Sequence, residues 1–253
     1  MPLSPPQSRF QYRKIPADNL HYLPASDMHP ADTYFHFSFA HYFNPGNVRF
    51  GVLRVINDDD VTAHGGFHIH SHRDMEIVSY VIDGRLTHWD SATDEETVLE
   101  RGHAQIVTAG TGVLHSELNN EDERCRFLQI WILPPAKGLP VRYAHRAFSA
   151  ADRQNRLLHI VGSLSRADDA ALRLNQDVNL YASEITDPRA EVVFALKAGR
   201  QAYINNIEGA VKIEGLPALE TRDSMEVHGP ATLRFRAKDN RAHFIIVEMP
   251  GEP

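Results

Sequence analysis

Cysteine is nearly missing from this chain of 253 residues: Cys125 stands alone, which excludes an intrachain disulfide and fits a reducing, cytoplasmic compartment. It lies in an apolar, strand-like run, where a thiol is expected to be buried and inert. Long apolar runs are missing as well. None approaches the ~18–20 residues that a membrane span needs, so no membrane role is expected. The opening segment Met1-Pro2-Leu3-Ser4-Pro5-Pro6-Gln7-Ser8 has no basic stretch followed by an apolar one, and does not read as a secretory signal. Positive charge is in deficit, with 26 Lys and Arg against 33 Asp and Glu. The resulting net charge of −7 repels phosphate backbones, so direct nucleic-acid binding is not expected. Amphipathic helical periodicity is absent, which leaves an all-β architecture. The length suffices for one large or two modest β domains with a buried core.

Histidine, by contrast, is abundant, with fifteen in the chain. His21, His29, His145, His159 and His228 lie among polar residues and are expected at the surface. Two pairs stand apart: His70-x-His72 and His115-x-Glu117, each inside an apolar, β-prone stretch. Residues two apart on a strand point to one face. Two adjacent strands could therefore close a cage of three imidazoles and one carboxylate, a set that suits a divalent transition metal and leaves positions open for other ligands.

The neighbouring residues invite two readings each. His68 could share the face of His70 and His72, although an edge-of-strand surface position is favoured. Glu76 reads as a structural carboxylate or one supporting a ligand. Glu117 could instead be the first residue of an acidic loop, in LHSELNNEDE. His36, Phe37, Phe39 and Tyr42 are expected to pack in the core rather than line a pocket. Gly110-Thr111-Gly112 reads as a plain turn, since no helix start or Lys follows it. Gln129 could face a cavity or not. Asp83-Gly84, between Ile77–Ile82 and Arg85–Trp89, carries a hairpin signal.

Short strands separated by glycine turns, with histidine pairs on facing strands, resemble the two motifs of the cupin β-barrel. The stretches GGFHIHSHRDMEIVSYVIDG and TAGTGVLHSE are similar to the pirin family within that superfamily, its bacterial quercetinase-like members included. His36–Pro45, Gly51–Asp59 and Leu128–Pro134 agree, and the likeness covers residues 33–145 most closely. Two departures are Ser71, where members often carry Pro, and Gly110, where cupins usually carry Pro. The resemblance implies His70, His72, His115 and Glu117 as ligands of one metal ion, with iron(II) the usual choice. An N₃O set also accepts Zn, Mn, Ni, Co or Cu. It further implies 2,3-dioxygenation of a flavonol such as quercetin by O₂, with a small planar polyphenol as substrate and Glu117 as the catalytic base. The alternative is a non-catalytic, redox-responsive regulator that binds another protein.

The segment Leu133–Pro140 combines three prolines and a glycine and reads as a linker. The expected organisation is thus a bicupin of two antiparallel jelly-roll barrels: residues 1–134 with the metal, and residues 135–253 without it. A faint repeat supports this, Tyr203–Gly209 echoing Val78–Gly84 and Ala218–Asp223 echoing Val98–Gly102. That register sets Ala195, Lys197, Arg236 and Lys238 where His70, His72, His115 and Glu117 stand.

Overall fold

A computed structural model describes residues 10–166 and 168–251. The segment Met1–Ser8, and Ala167 in the expected polar loop Ser163–Ala170, lie outside the described residues. In chain order the first strands are β1 (Gln11–Ile15), β2 (His21–Leu23), β3 (Ala31–Phe35), β4 (Leu53–Val61), β5 (Gly66–His72) and β6 (Glu76–Asp83). Next come β7 (Arg85–Asp90), β8 (Glu96–Glu100), β9 (Ala104–Thr108), β10 (Val113–Leu118), β11 (Cys125–Ile132) and β12 (Arg142–Arg146). A short helix α1 (Ala150–Arg153) precedes β13 (Leu158–Ser163), β14 (Leu172–Leu174), β15 (Asn179–Ile185) and β16 (Val192–Leu196). The last three are β17 (Arg200–Ile213), β18 (Ser224–His228) and β19 (Ala231–Pro250).

The N-terminal half is a sandwich of a four-stranded sheet, β5-β10-β7-β8, and a seven-stranded one, β12-β9-β6-β11-β4-β3-β2. The C-terminal half is built on one eight-stranded sheet in which β19 carries both β15 and β16. The all-β, two-cupin expectation holds, but the sheets are not closed barrels, and β13–β14 is a parallel pair. Two strands cross the expected division: β12, beyond the linker, pairs with β9, and β1 pairs with β18.

The seven-stranded sheet is covered on both faces, which explains why successive residues of β6 are buried. One face of it, with Val61, Val81 and Phe127, meets Leu86 and Leu99 of the small sheet. Its other face, with Ile56, Val78, Tyr80 and Leu128, packs on Ile160, Leu180, Tyr203 and Val247 of the second half. Polar groups also join the halves. Glu76, fully buried, accepts from the backbone N of Asn175 (2.7 Å) and of Gln176 (2.9 Å). Its role is structural. Tyr80 meets His243 at 2.9 Å, and His243 meets Glu208 at 2.8 Å.

The Asp83-Gly84 signal gives a turn but not a hairpin. β6 pairs with β9 and β11, whereas β7 pairs with β8 and β10, so the chain changes sheets at this point. Gly84 has φ +74°, and a Cβ there would strike the Arg124 carbonyl. Gly209 has φ +66° and meets the Arg241 carbonyl in the same way. The echo read between these two segments is therefore a structural one. Gly110-Thr111-Gly112 is a turn, and the N–H of Thr111 binds the linker carbonyl of Leu139 at 3.0 Å.

Candidate metal centre

β5 and β10 run antiparallel with His115 opposite His70 and Val113 opposite His72. This register draws the three imidazoles together. The Nε2 atoms of His70 and His115 are 3.0 Å apart, and ring centroids within the trio are separated by 4.4–4.8 Å. One ligand atom from each lies within 4.8 Å of the others. His70 Nδ1 is 2.7 Å from the His68 carbonyl, which can only accept. The Nδ1 of His70 therefore carries the proton, and its Nε2 lone pair is turned to the centre. Burial, with the neighbouring rings of His115 and His70, pushes His72 down to about 4. Burial, with His70 and His88, pushes His115 down to about 3. Neutral imidazoles are the form that binds a cation, so the donor set fits a divalent transition metal.

Glu117 stands beside this trio, grouped with His88 and His115. It is 1% exposed and only accepts hydrogen bonds, as a carboxylate does. Ser79 Oγ donates at 2.6 Å and Gln105 Nε2 at 3.1 Å to Oε1, and Gln129 Nε2 donates to Oε2. The acidic-loop reading of Glu117 is thereby set aside, and Gln129 faces the interior.

His88 has no role in the sequence reading, yet it is central here. Its Nε2 lies 3.1 Å from Asp90 Oδ2, its Nδ1 takes a hydrogen bond from Gln105 at 3.1 Å, and its ring stacks on Tyr143 at 4.8 Å. Tyr143 in turn donates to Gln105 Oε1 at 3.1 Å. A signal was available: Leu86, His88 and Asp90 alternate, and all three are buried.

His70 and His72 of the trio open on a cavity of about 790 Å³. Phe35, Phe39, Phe67 and Trp131 give it aromatic walls, Asn57, Asp59, Glu117 and Gln129 polar ones, and Met28 and His29 belong to the same lining. Phe39 therefore lines the pocket, against expectation, because the chain turns back at Tyr42 and carries its ring against Trp131 (5.1 Å). His36 and Phe37 pack in the core as expected, and Tyr42 stacks on His21 at 4.2 Å. His68 falls in a bulge of β5 opposite His115–Glu117, which breaks its alternation with His70; it is exposed and lines the cavity. Asn57 Oδ1 and Trp131 Nε1 are buried with no partner. Such orphaned groups in a cavity wall suit a ligand that can both donate and accept.

Of the histidines expected at the surface, His145 and His228 are exposed, while His21, His29 and His159 are half-buried. Cys125 is fully buried, and burial with Asp60 and Asp83 pushes its thiol up to about 12.

In the second half the repeat is real but the expected register is off by one residue on β16 and by three on β19. Four residues past Gly84, His88 pairs with Glu117; four past Gly209, Ile213 pairs with Phe235. Leu233 then faces Phe194 as His115 faces His70, and Ala231 faces Leu196 as Val113 faces His72. The four positions thus hold Phe194, Leu196, Leu233 and Phe235, all buried in one apolar cluster. Ala195, Lys197, Arg236 and Lys238 are exposed instead, since a slip by an odd number of residues turns every side chain to the other face.

Fold and centre together define a two-domain cupin in which one domain gathers histidines. Comparison with known proteins agrees. The family profile Pirin matches residues 19–132, and Quercetinase C-terminal cupin domain matches residues 160–249. The chain is 36% identical over 220 residues to a protein named quercetin 2,3-dioxygenase from Escherichia coli (strain K12), covering 87% of this chain and 91% of that one. It is 33% identical over 214 residues to a pirin-like protein of Caulobacter vibrioides, covering 84% and 90%. The crystal structure of bacterial pirin YhhW from E. coli in complex with nickel(II) is similar with a TM-score of 0.85 and 30% identity, covering 96% of this chain and all of that one. This chain belongs to the pirin family of the cupin superfamily.

Proposed function

We propose that this pirin is a metal-dependent oxidoreductase of the quercetin 2,3-dioxygenase type, opening a flavonol-like ring with O₂. His70, His72, His115 and Glu117 would hold one divalent ion, with iron(II) the metal of choice. The observation that carries the reading is the aromatic-walled cavity into which His70, His72 and Glu117 face. The ion, when bound, supplies a site for O₂ and makes a substrate hydroxyl more acidic. The rest falls to the chain. Phe35, Phe39 and Trp131 offer flat surfaces for a planar polyphenol. Glu117 accepts the hydroxyl proton, held in place by Ser79, Gln105 and Gln129. Names carried by relatives support this assignment, the E. coli quercetin 2,3-dioxygenase above among them.

The test is anaerobically prepared, metal-quantified protein assayed for quercetin loss and carbon monoxide release, with His70→Ala alongside. Metal-dependent turnover lost in the variant supports the proposal. Fully metallated protein that leaves quercetin intact sinks it, and the regulator reading would then be pursued by partner binding in each metal oxidation state.

A further inference from the structure

The second half lacks the histidine trio but keeps a cavity, of about 610 Å³. Strand pairing matches its walls to those of the metal cavity. Five residues before Gly84, Ser79 pairs with Gln129 and Gln129 with Asn57. Five before Gly209, Ile204 pairs with Ile246 and Ile246 with Tyr181. Asn57 next meets Phe35, and Tyr181 meets His159. Seven residues before the same glycines, Ile77 pairs with Trp131 and Ala202 with Glu248. Phe194 stands for His70, as above. Four walls of the first cavity, Phe35, Asn57, His70 and Trp131, thus recur in the second as His159, Tyr181, Phe194 and Glu248.

The two linings differ in chemistry. Phe194 belongs to the apolar cluster that closes the interior, so the second cavity has an apolar floor, continued by Leu157 and Ala195. Its buried charges are already matched. Arg200 donates to both oxygens of Glu248 and, at 2.7 Å, to Asp177, while Asn179 Nδ2 donates to Glu248 at 2.6 Å. The charges at the rim sit on separate elements. Lys197 is exposed just past β16, and its ammonium meets no partner among the described residues. Asp168 and Asp169 follow β13 and are held through their Oδ1 atoms, by Arg173 at 2.6 Å and by His159 Nδ1 at 3.1 Å. The lining as a whole is balanced, with Arg166, Lys197 and Arg200 against Asp168, Asp169 and Glu248.

The geometry points to a second ligand site in this half, for a free α-amino acid with an apolar side chain. Its carboxylate meets Lys197, its ammonium the remaining oxygens of Asp168 and Asp169, and its side chain rests on Phe194 and Leu157. An ammonium carries three donors and asks only for acceptors, which two carboxylates supply. A ligand of one charge would leave one rim unanswered, whereas a zwitterion answers both. The volume is that of a small-molecule site. The inference is independent of the enzyme reading, since no residue of the metal cavity takes part.

The test is a chemical-shift titration of the full chain by NMR, loaded with diamagnetic zinc. The probes are L-leucine, 4-methylpentanoate, which lacks the ammonium, and 3-methylbutylamine, which lacks the carboxylate. Leucine should shift signals around Tyr181 and Phe194 and bind about fivefold tighter than either one-charge analogue. Lys197→Met should weaken leucine about fivefold and leave 3-methylbutylamine unchanged. Asp169→Asn should also weaken leucine about fivefold, and leave 4-methylpentanoate unchanged. Both residues are exposed, so neither substitution disturbs the core. Absence of shifts in this cavity at about 10 mM leucine overturns the proposal, as do shifts confined to β5 and β10. Equal affinity for all three probes overturns it too, as does leucine affinity unaltered in either variant.

Discussion

The two halves of this pirin carry the same strand crossing twice and fill it in opposite ways. In the first, His70, His72 and His115 meet with Glu117 beside them, braced by Ser79, Gln105, Gln129 and His88. In the second, Phe194, Leu196, Leu233 and Phe235 close on one another. The strand pairing at this point is alike in both; what differs is whether a surrounding layer of donors exists to satisfy buried polar groups. A metal centre here is thus a property of side chains supplied in depth, and the fold alone does not carry it. The strand breaks follow suit. The first half interrupts its chain at Gly84 and between β10 and β11, whereas β17 and β19 run through the corresponding points as long, bent strands.

Four experiments bear on this contrast. The largest effect belongs to His115→Ala, which should remove bound metal and cut any oxidative turnover by about 10³-fold or more, read by elemental analysis beside the activity assay. An exchange of character between the halves comes next. Phe235→Glu, which buries a carboxylate with no donors prepared, should cost about 4 kcal/mol, while Glu117→Phe should cost about 2 kcal/mol by orphaning three donors. Equal costs in denaturant unfolding would break the comparison.

The third experiment is a pH titration of stability. Asp59 is raised in the folded state, so folding is favoured while it is protonated. That contribution is lost as pH climbs from the ordinary carboxylate range through about 7. Wild type should lose a few kcal/mol at most over that interval, and Asp59→Asn should flatten the decline. Smallest are Gly84→Ala and Gly209→Ala, each expected to cost about 2 kcal/mol because a Cβ meets a backbone carbonyl in both halves. A large difference between the two would mean that the turns are not equivalent.

Much of the centre was legible because ligation and strand periodicity are local. The spacing in His70-x-His72 and His115-x-Glu117 needs only the pleat to set both members on one face. Gly84 and Gly209 announced the repeat because few other residues fit their backbone. The rest depended on pairing between distant segments. His88 looked like any strand histidine until Gln105 and Asp90 met it. Asn57, Asp58 and Asp59 carry no local sign of burial, yet the sheet they enter is covered on both faces, and all three are buried. Nothing near Glu76 could show that Asn175, 99 positions away, would hold it. The change of sheet at Gly84 was hidden for the same reason: the turn is local, its partners are not.

The pairing of β1 with β18 has a consequence for how the molecule comes into being. Arg13 clasps Glu226 through two hydrogen bonds of 2.8 and 2.6 Å across 213 positions of chain. At ribosomal speeds of about 5–20 residues per second, β1 must wait roughly 10–40 s for its neighbour to be made. During synthesis β1 is therefore without this neighbour until β18 has emerged to fasten it. Scission at the Leu133–Pro140 linker would sever β12 and β1 from the sheets that each completes on the other side. The two cupins are better regarded as one interlaced object than as beads that an evolutionary or laboratory cut could separate.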